Sequence, residues 1–430
     1  MSAGLAVAVF LGAYALIASE KVNRVAVALG GAGLMLALGL VSSSDAFHSE
    51  RFGVDWDVIF LLLGMMVIVG VIKHTGLFDY LAIWSAKRAG GRPFRILATL
   101  TTITAVASAL LDNVTTVLLV APVTFLICER LDLPPAPYLI ALALASNIGG
   151  TATLIGDPPN IIIASQANLT YLDFLANLAP LVVLLLIVFI AMCRLLFRSA
   201  FTSRPELVRE LMALDEREAI VDRRLLIQSL AVGVVATAGF ALHGLLHYDP
   251  SVVALLGAGV LLLLANRPPA VFLREVEWQT LAFFIGLFIM VGALVKVGVI
   301  QRLADAAADL TGGRLLLATT LLLWVSGLLS AVIDNIPYVA TMAPVVGTLV
   351  DGFPEGTDGT VLWWSLALGA DLGGNATAIG ASANVVILGL AQRAGQPIRF
   401  LEFTKYGVVV AVATMLVCVP YLWLRYFAFT

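Results

Sequence analysis

The sequence predicts an all-α, polytopic membrane protein built from inverted repeats, with about ten transmembrane helices and two re-entrant helical hairpins. Three observations carry this. Of 430 residues 60% are hydrophobic and 12% charged, with a mean hydropathy of +1.01, a balance that water cannot solvate in a compact domain. A polar phrase occurs twice in this apolar background: Asp112-Asn113 is echoed by Asp334-Asn335, and Asn147-Ile148-Gly149-Gly150-Thr151-Ala152-Thr153 by Asp371-Leu372-Gly373-Gly374-Asn375-Ala376-Thr377. The echo also keeps register, since Trp56/Trp278, Gly64/Gly286, Gly70/Gly292, Gly76/Gly298, Gly91/Gly313, Asp112/Asp334 and Pro122/Pro344 all share one offset along the chain. Shared spacing over that length marks an internal duplication.

The first apolar stretch, about 3–18, has no basic residue before Lys21, so it reads as a retained span rather than a cleaved signal. Further stretches follow at about 24–41, 57–73, 137–165, 174–198, 225–243, 250–265, 278–296, 361–390 and 404–428, judged against the roughly 20 residues a span needs. Segments 93–128 and 314–350 are each interrupted by an Asp-Asn pair. Each reads as two further spans or as a re-entrant hairpin with a polar tip, which a membrane tolerates where protein shelters the turn; the count of ten spans takes them as hairpins. Gly30 and Gly33, inside the second span, are expected to serve close helix packing.

The basic residues give orientation. With the N-terminus outside, Arg51, Lys296, Arg302, Arg314 and Arg425 fall on the outer side and every other Lys and Arg, Arg204 included, on the inner side. Both termini are then outside a cell's inner (plasma) membrane. The net charge of −3 says nothing about partners in such a chain. Val27 to Gly33 resembles Val253 to Gly259, which extends the repeat to the early spans. Residues 1–200 are read as the first repeat, 201–224 as a cytoplasmic linker facing lipid headgroups, and 225–430 as the second repeat. Five spans per half turn the halves upside down relative to each other, as alternating access requires.

A carboxylate in mid-membrane costs about 2.5–3.5 kcal/mol on insertion scales, so a repeated one implies a purpose. Burial favours the protonated form, which suits proton loading and release. Asp112, Asp334, Asp157 and Asp371 are therefore the expected proton-coupling or cation-binding groups. The segment Asn147 to Asn160 reads as a broken helix: Gly149, Gly150 and Gly156 allow the bend, and Asp157 caps a second helix opened by Pro158 and Pro159. Broken helices offer free backbone groups to a solute. The expected substrate-binding residues are Asn113, Thr115, Asn147, Gly149, Gly150, Thr151, Thr153, Asn335, Gly373, Gly374, Asn375 and Thr377.

Other residues read as incidental. His243 and His247 lack a third metal ligand, Lys73-His74 suits snorkelling at a span end, and Cys128, Cys193 and Cys418 are scattered. No cofactor, metal, catalytic residue or nucleic-acid partner is expected. The chain holds no GxxxxGK[ST] loop, so any ATP hydrolysis would come from a partner ATPase, which is left open. Ile155-Gly156-Asp157 half matches an intramembrane aspartyl protease signature, but duplication is unexpected for a protease, and paired ionisable groups suit coupling better than a passive channel.

Leu110 to Thr116 with Ala121-Pro122, Asn147 to Asn160, and Leu372 to Asn384 resemble the ArsB/NhaD permease family of the ion transporter superfamily, in the branch of arsenite permeases and the melanosomal P protein. The resemblance covers nearly the whole chain. It implies a homodimeric permease with a scaffold, a mobile transport domain and elevator-like motion, binding substrate between hairpin tips and broken helices. It also implies a cargo range of arsenite and antimonite, of sodium exchanged for protons, or of anions taken up with sodium. The dicarboxylate branch carries Ser-Asn-Thr at the hairpin tips, whereas Asp stands first here, and an acidic tip repels a dianion. Efflux of arsenite or antimonite, neutral trihydroxides, driven by protons is the leading expectation; a sodium/proton antiporter of the same fold is the alternative.

Overall fold

The computed structural model describes residues 2–19, 21–49, 51–201, 205–212, 215–354 and 357–428; Arg204 lies outside them. Every long element among these is a helix. The first half runs α1 (Ser2–Ala18), α2 (Arg24–Ala37), α3 (Ser43–His48), α4 (Trp56–Lys73), α5 (Leu77–Arg88), α6 (Pro93–Leu110), α7 (Asn113–Leu131), α8 (Pro135–Gly150), α9 (Pro158–Ala167), α10 (Tyr171–Asn177) and α11 (Ala179–Leu196). After α12 (Pro205–Met212) come α13 (Arg223–Leu246), α14 (Pro250–Leu264), α15 (Pro269–Leu273), α16 (Trp278–Lys296), α17 (Val299–Thr311), α18 (Leu315–Ser330), α19 (Asn335–Asp351), α20 (Val361–Gly373), α21 (Ser382–Arg393) and α22 (Phe400–Tyr426). From α13 onward the order of α1–α11 recurs element for element, with α22 standing for α10 and α11 together.

Local chemistry repeats with it. Gly76 and Gly298 open α5 and α17 in the left-handed region, at φ 81° and 75°, where an L side chain would be strained. Pro122 and Pro344 sit inside α7 and α19. α17 and α18 meet at a bend of 118°.

The packing divides the helices into two groups. In one, α4 lies along α14, α2 along α16, and α1 and α13 pack beside them. The crossings are close because Gly64 abuts the backbone of Ala254 and Gly286 that of Ala28. Dispersion between close backbones holds helices together where lipid offers no hydrophobic drive. In the other group α6 and α7 pack on α8, α18 and α19 on α20, and the halves interlock through α7 against α21 and α9 against α19. Val183, Ile187, Val234, Val235, Leu263 and Leu416 remain exposed, a surface suited to acyl chains.

Five expected spans are helices long and apolar enough to cross a membrane: α4, α11, α13, α16 and α22. α1, α2 and α14 are shorter apolar helices, and spans 137–165 and 361–390 are each divided in two. Both arms of the first hairpin, α6 and α7, also pass the length and apolarity test, so each is as long as a full span. The linker also contacts protein: α12 lies against α5 and α7, Glu216 accepts from Lys87 at 2.5 Å, and Val221 N–H donates to Thr75 O.

Candidate transport site

Each hairpin turns on its Asp. Asp112 Oδ1 accepts from Thr115 N–H at 2.7 Å and Asp334 Oδ1 from Ile336 N–H at 3.1 Å, so both cap the returning helix and satisfy an otherwise orphaned donor. Capping engages one oxygen of each carboxylate, and the other oxygen of Asp334 accepts from Arg24 and Ser382. The following residues, Asn113 and Asn335, point the other way and are buried.

The broken helices are fixed by their neighbours. Thr153 Oγ1 donates to Ala109 O at 2.5 Å and its counterpart Thr377 Oγ1 to Ala331 O at 2.6 Å, tying each break to a hairpin tip. Thr151 Oγ1 donates to Asn147 O at 2.8 Å. Asn160 Nδ2 bridges Gly150 O and Thr153 O, and Asn384 Nδ2 bridges Gly374 O and Thr377 O, at 2.9–3.2 Å. The glycines serve contact: a Cβ on Gly149 would enter the backbone of Ala105, one on Gly373 that of Gly327, and Gly150/Gly156 and Gly374/Gly380 are mutually apposed. Gly30 and Gly33, expected to pack closely, have nothing within 4 Å of an added Cβ. That expectation is corrected: the tight glycines are those of the polar phrase and of the α4–α14 and α2–α16 crossings, Gly64 and Gly286 among them.

A second correction concerns Asp157. It stands at the N-cap position of α9, yet its side chain makes no capping bond. Pro158 and Pro159 lack N–H groups, so there is little for it to cap. The freed carboxylate turns inward, where Oδ2 accepts from Asn113 Nδ2 at 2.8 Å and Asn335 Nδ2 at 3.2 Å. Asn113 Nδ2 also reaches Asn147 Oδ1 at 3.2 Å, and Asn147 Nδ2 reaches Asn375 Oδ1 at 2.9 Å and Asn384 Oδ1 at 3.2 Å. Asp371 lies beside Thr151, Asn160 and Asn335. Asp157 and Asp371 are both 0% exposed, and Asp157 Oδ1, Asn160 Oδ1 and both oxygens of Asp371 accept no hydrogen bond. None of the described Lys, Arg or His residues is buried. Two carboxylates thus share the centre with amides and no cationic side chain.

The two acids are not repeat partners. In the register that sets Thr153 on Thr377, Asn147 falls on Asp371, Thr151 on Asn375 and Asn160 on Asn384, while Asp157 falls on Ala381.

Beside this cluster opens a cavity of about 820 Å³, whose walls include Asp112, Asp334, Arg24 and Glu277. Arg24 donates to Asp334 Oδ2 at 3.4 Å and to Ser382 Oγ at 3.0 Å, and Ser382 donates to Asp334 Oδ2 at 2.6 Å. Asp112 and Glu277 lie close enough to feel each other's charge. The cavity also touches Ala18 at the end of α1, and Val22 and Val276 in loops, all at positions that the basic residues assign to the inner side. On the opposite side α4 is tied down: Asp55 is bonded by Ser165, and Asp57 by Ser251 at 2.8 Å.

The structure therefore gathers Asn113, Asn147, Asp157, Asn335, Asp371 and Asn375 into one buried cluster and sets Asp112 and Asp334 on the cavity wall one residue away. Thr115 contributes its backbone N–H. Arg24 and Glu277 were not among the expected site residues. Glu277 carries a sequence signal nonetheless, because it precedes Trp278 as the acidic Asp55 precedes Trp56, at the same place in each copy. Lys73, expected to snorkel, pairs with Glu275 at 2.6 Å. His243 accepts from Tyr171 N–H at 3.3 Å, and no cluster of three metal-ligating side chains occurs among the described residues.

An all-helical membrane protein with a divided, polar centre beside an open cavity belongs to the class of membrane transporters. The match to known proteins is more specific: residues 14–369 fit the profile of CitMHS, described as citrate transporter, and the chain belongs to that family. It is 54% identical to an uncharacterised transporter of Mycobacterium tuberculosis, over 99% of each chain. It is 34% identical to the human P protein, over 97% of this chain and 59% of the P protein. Among solved structures, the YdaH transporter of Alcanivorax borkumensis shares the fold, with a TM-score of 0.63 over 98% of each chain at 15% identity. The family and the P protein relative bear out the resemblance to the ion transporter superfamily.

Proposed function

We propose that this chain is a proton-coupled secondary transporter of the elevator type, with Asp157 and Asp371 as its coupling pair. One observation carries the reading: two carboxylates at 0% exposure, three of whose four oxygens accept no hydrogen bond, with no buried base among the described residues. Bare, such a pair would hold two uncompensated charges in a low-dielectric interior. It becomes neutral on taking up two protons, or one proton and one sodium ion. Arsenite or antimonite, whose hydroxyls would donate to the orphaned oxygens of Asp371 and Asn160, is the proposed exported cargo. Sodium/proton antiport is the second reading, favoured by the same hard oxygen donors. The citrate of the family description suits this chain less, because Asp112, Glu277 and Asp334 outnumber Arg24 around the cavity.

The helix group of α1, α2, α4, α13, α14 and α16 would be the scaffold, in a homodimer, and the hairpins with α8, α9, α20 and α21 the moving part. The halves would be inverted repeats, 1–200 and 225–430, in an inner membrane with both termini outside. In that orientation the cavity opens inward. The purified protein in liposomes with an internal pH dye, given arsenite, antimonite, sodium and lithium in turn, tests the coupling. Proton movement on metalloid addition supports the first reading, movement on sodium alone the second, and none with any of the four defeats both.

Orientation has its own check. The native cysteines are all buried, so the background to thiol labelling is low. In intact cells Arg51→Cys is expected to react with an impermeant maleimide and Arg88→Cys only after permeabilisation; the reverse pattern would invert the topology.

A further inference from the structure

The cavity lies on the seam between the two helix groups. Leu62, Met65 and Met66 reach it from α4 and Trp278 opens it from α16, while Val114 and Leu118 of α7, Pro158 and Ile161 of α9 and Val385 of α21 form the other wall. Those walls are mostly apolar, and two adjacent methionines can repack around varied shapes. The polar groups are of one sign once Arg24 is assigned: its guanidinium is engaged by Asp334 and Ser382, leaving Asp112 and Glu277 to face the space together. Glu277 Oε2 accepts from Thr280 at 2.9 Å, which fixes the head of its side chain without neutralising it. Trp278 adds an aromatic face that attracts cations. A volume of about 820 Å³ is that of a site for a drug-sized ligand, far beyond what a metal ion or a trihydroxide fills.

We propose that this cavity is a binding site for amphipathic organic cations, which seat a positive centre between Asp112 and Glu277 and an apolar body against α4, α7 and α9. The proposal rests on the reading that the two helix groups slide past each other, because a body wedged in the seam holds them in the inward-open arrangement. Such a ligand binds outside the buried cluster and stops transport without competing for Asp157 and Asp371.

Tetraphenylphosphonium is the probe. The purified full-length protein is expected to bind it saturably, measured by equilibrium dialysis, and Asp112→Asn with Glu277→Gln is expected to raise the Kd about tenfold or more. Both replacements keep the local hydrogen bonds, since Asn also caps a helix and Gln still accepts from Thr280; an unchanged thermal unfolding midpoint confirms the fold. In liposomes the same probe is expected to lower the maximal rate of solute-driven proton movement by the wild type without changing the solute concentration at half-maximum. Absence of saturable binding, or binding indifferent to the double substitution, overturns the site, and binding without inhibition overturns the wedge. A wild type that moves no protons with any solute, yet binds the probe through Asp112 and Glu277, sinks the transport reading while leaving the site in place.

Discussion

Asp371→Asn is expected to cut solute-driven proton movement on the order of 100-fold while leaving the protein at least as stable as the wild type. Both halves of that expectation come from one geometry: Asp371 is 0% exposed and neither of its oxygens accepts a hydrogen bond. An amide of the same shape cannot carry the proton, yet it removes a buried charge that no neighbouring base offsets. Asp157→Asn should behave alike, because an Asn carbonyl can still accept from Asn113 and Asn335. The double variant should lose little more than either single one, as expected of groups that act as a unit. Liposome pH-dye rates and thermal unfolding in detergent check this together. Wild-type rates in both single variants would remove the pair from the mechanism, and a large fall in unfolding temperature would mean that the carboxylates hold the fold.

Gly149→Ala is expected to destabilise the protein by about 1–3 kcal/mol or more, out of proportion to one methyl group. The added carbon would meet Ala105 through its carbonyl oxygen, Cα and carbonyl carbon, all of them backbone, so no flexible side chain can yield. Gly30→Ala is the control: it sits in α2 with open space around it, and removing glycine from a helix interior stabilises by roughly 0.5–1 kcal/mol. Unfolding midpoints of the two variants should move in opposite directions. Equal shifts would mean that the apposition of α6 and α8 at Gly149 is not a structural constraint.

What the sequence made legible was whatever depends on composition or on repetition. Apolar length announced α4, α11, α13, α16 and α22, and the constant offset between the two copies announced that α16 would rebuild α4. Contacts that close across hundreds of residues left no such trace. Arg24 meets Asp334 from 310 positions away, and nothing around Arg24 distinguishes it from an ordinary inner-side base. The direction of Asp157 is not legible in the sequence because an Asp before a helix is normally its cap; the two prolines that make the helix start so readable also remove the donors a cap needs. The contacts of the glycines are hidden for a related reason. Small residues mark close approach only where a neighbour arrives, and that neighbour is supplied by tertiary structure. The site was therefore readable as a list of residues but not as an arrangement, in which Asp112 and Asp334 face a cavity while their neighbouring asparagines face the buried acids.

The mismatch of Asp157 with Ala381, and of Asn147 with Asp371, sets a limit on how even-handed this protein can be. A duplicated machine with identical halves would sit at equal free energy on either side of the membrane and run equally well in both directions. Here the acid in the first half stands just before the resumed helix, and the acid in the second stands near the end of the helix before the break. Exchanging the roles of the halves does not return the same chemistry, so under the proposed mechanism the inward- and outward-facing forms are expected to differ in proton affinity at equal pH. On that reading the two forms are unequally populated at rest, and the placement of one acid in each half at non-equivalent positions, Asp157 against Ala381 and Asp371 against Asn147, sets which side is favoured.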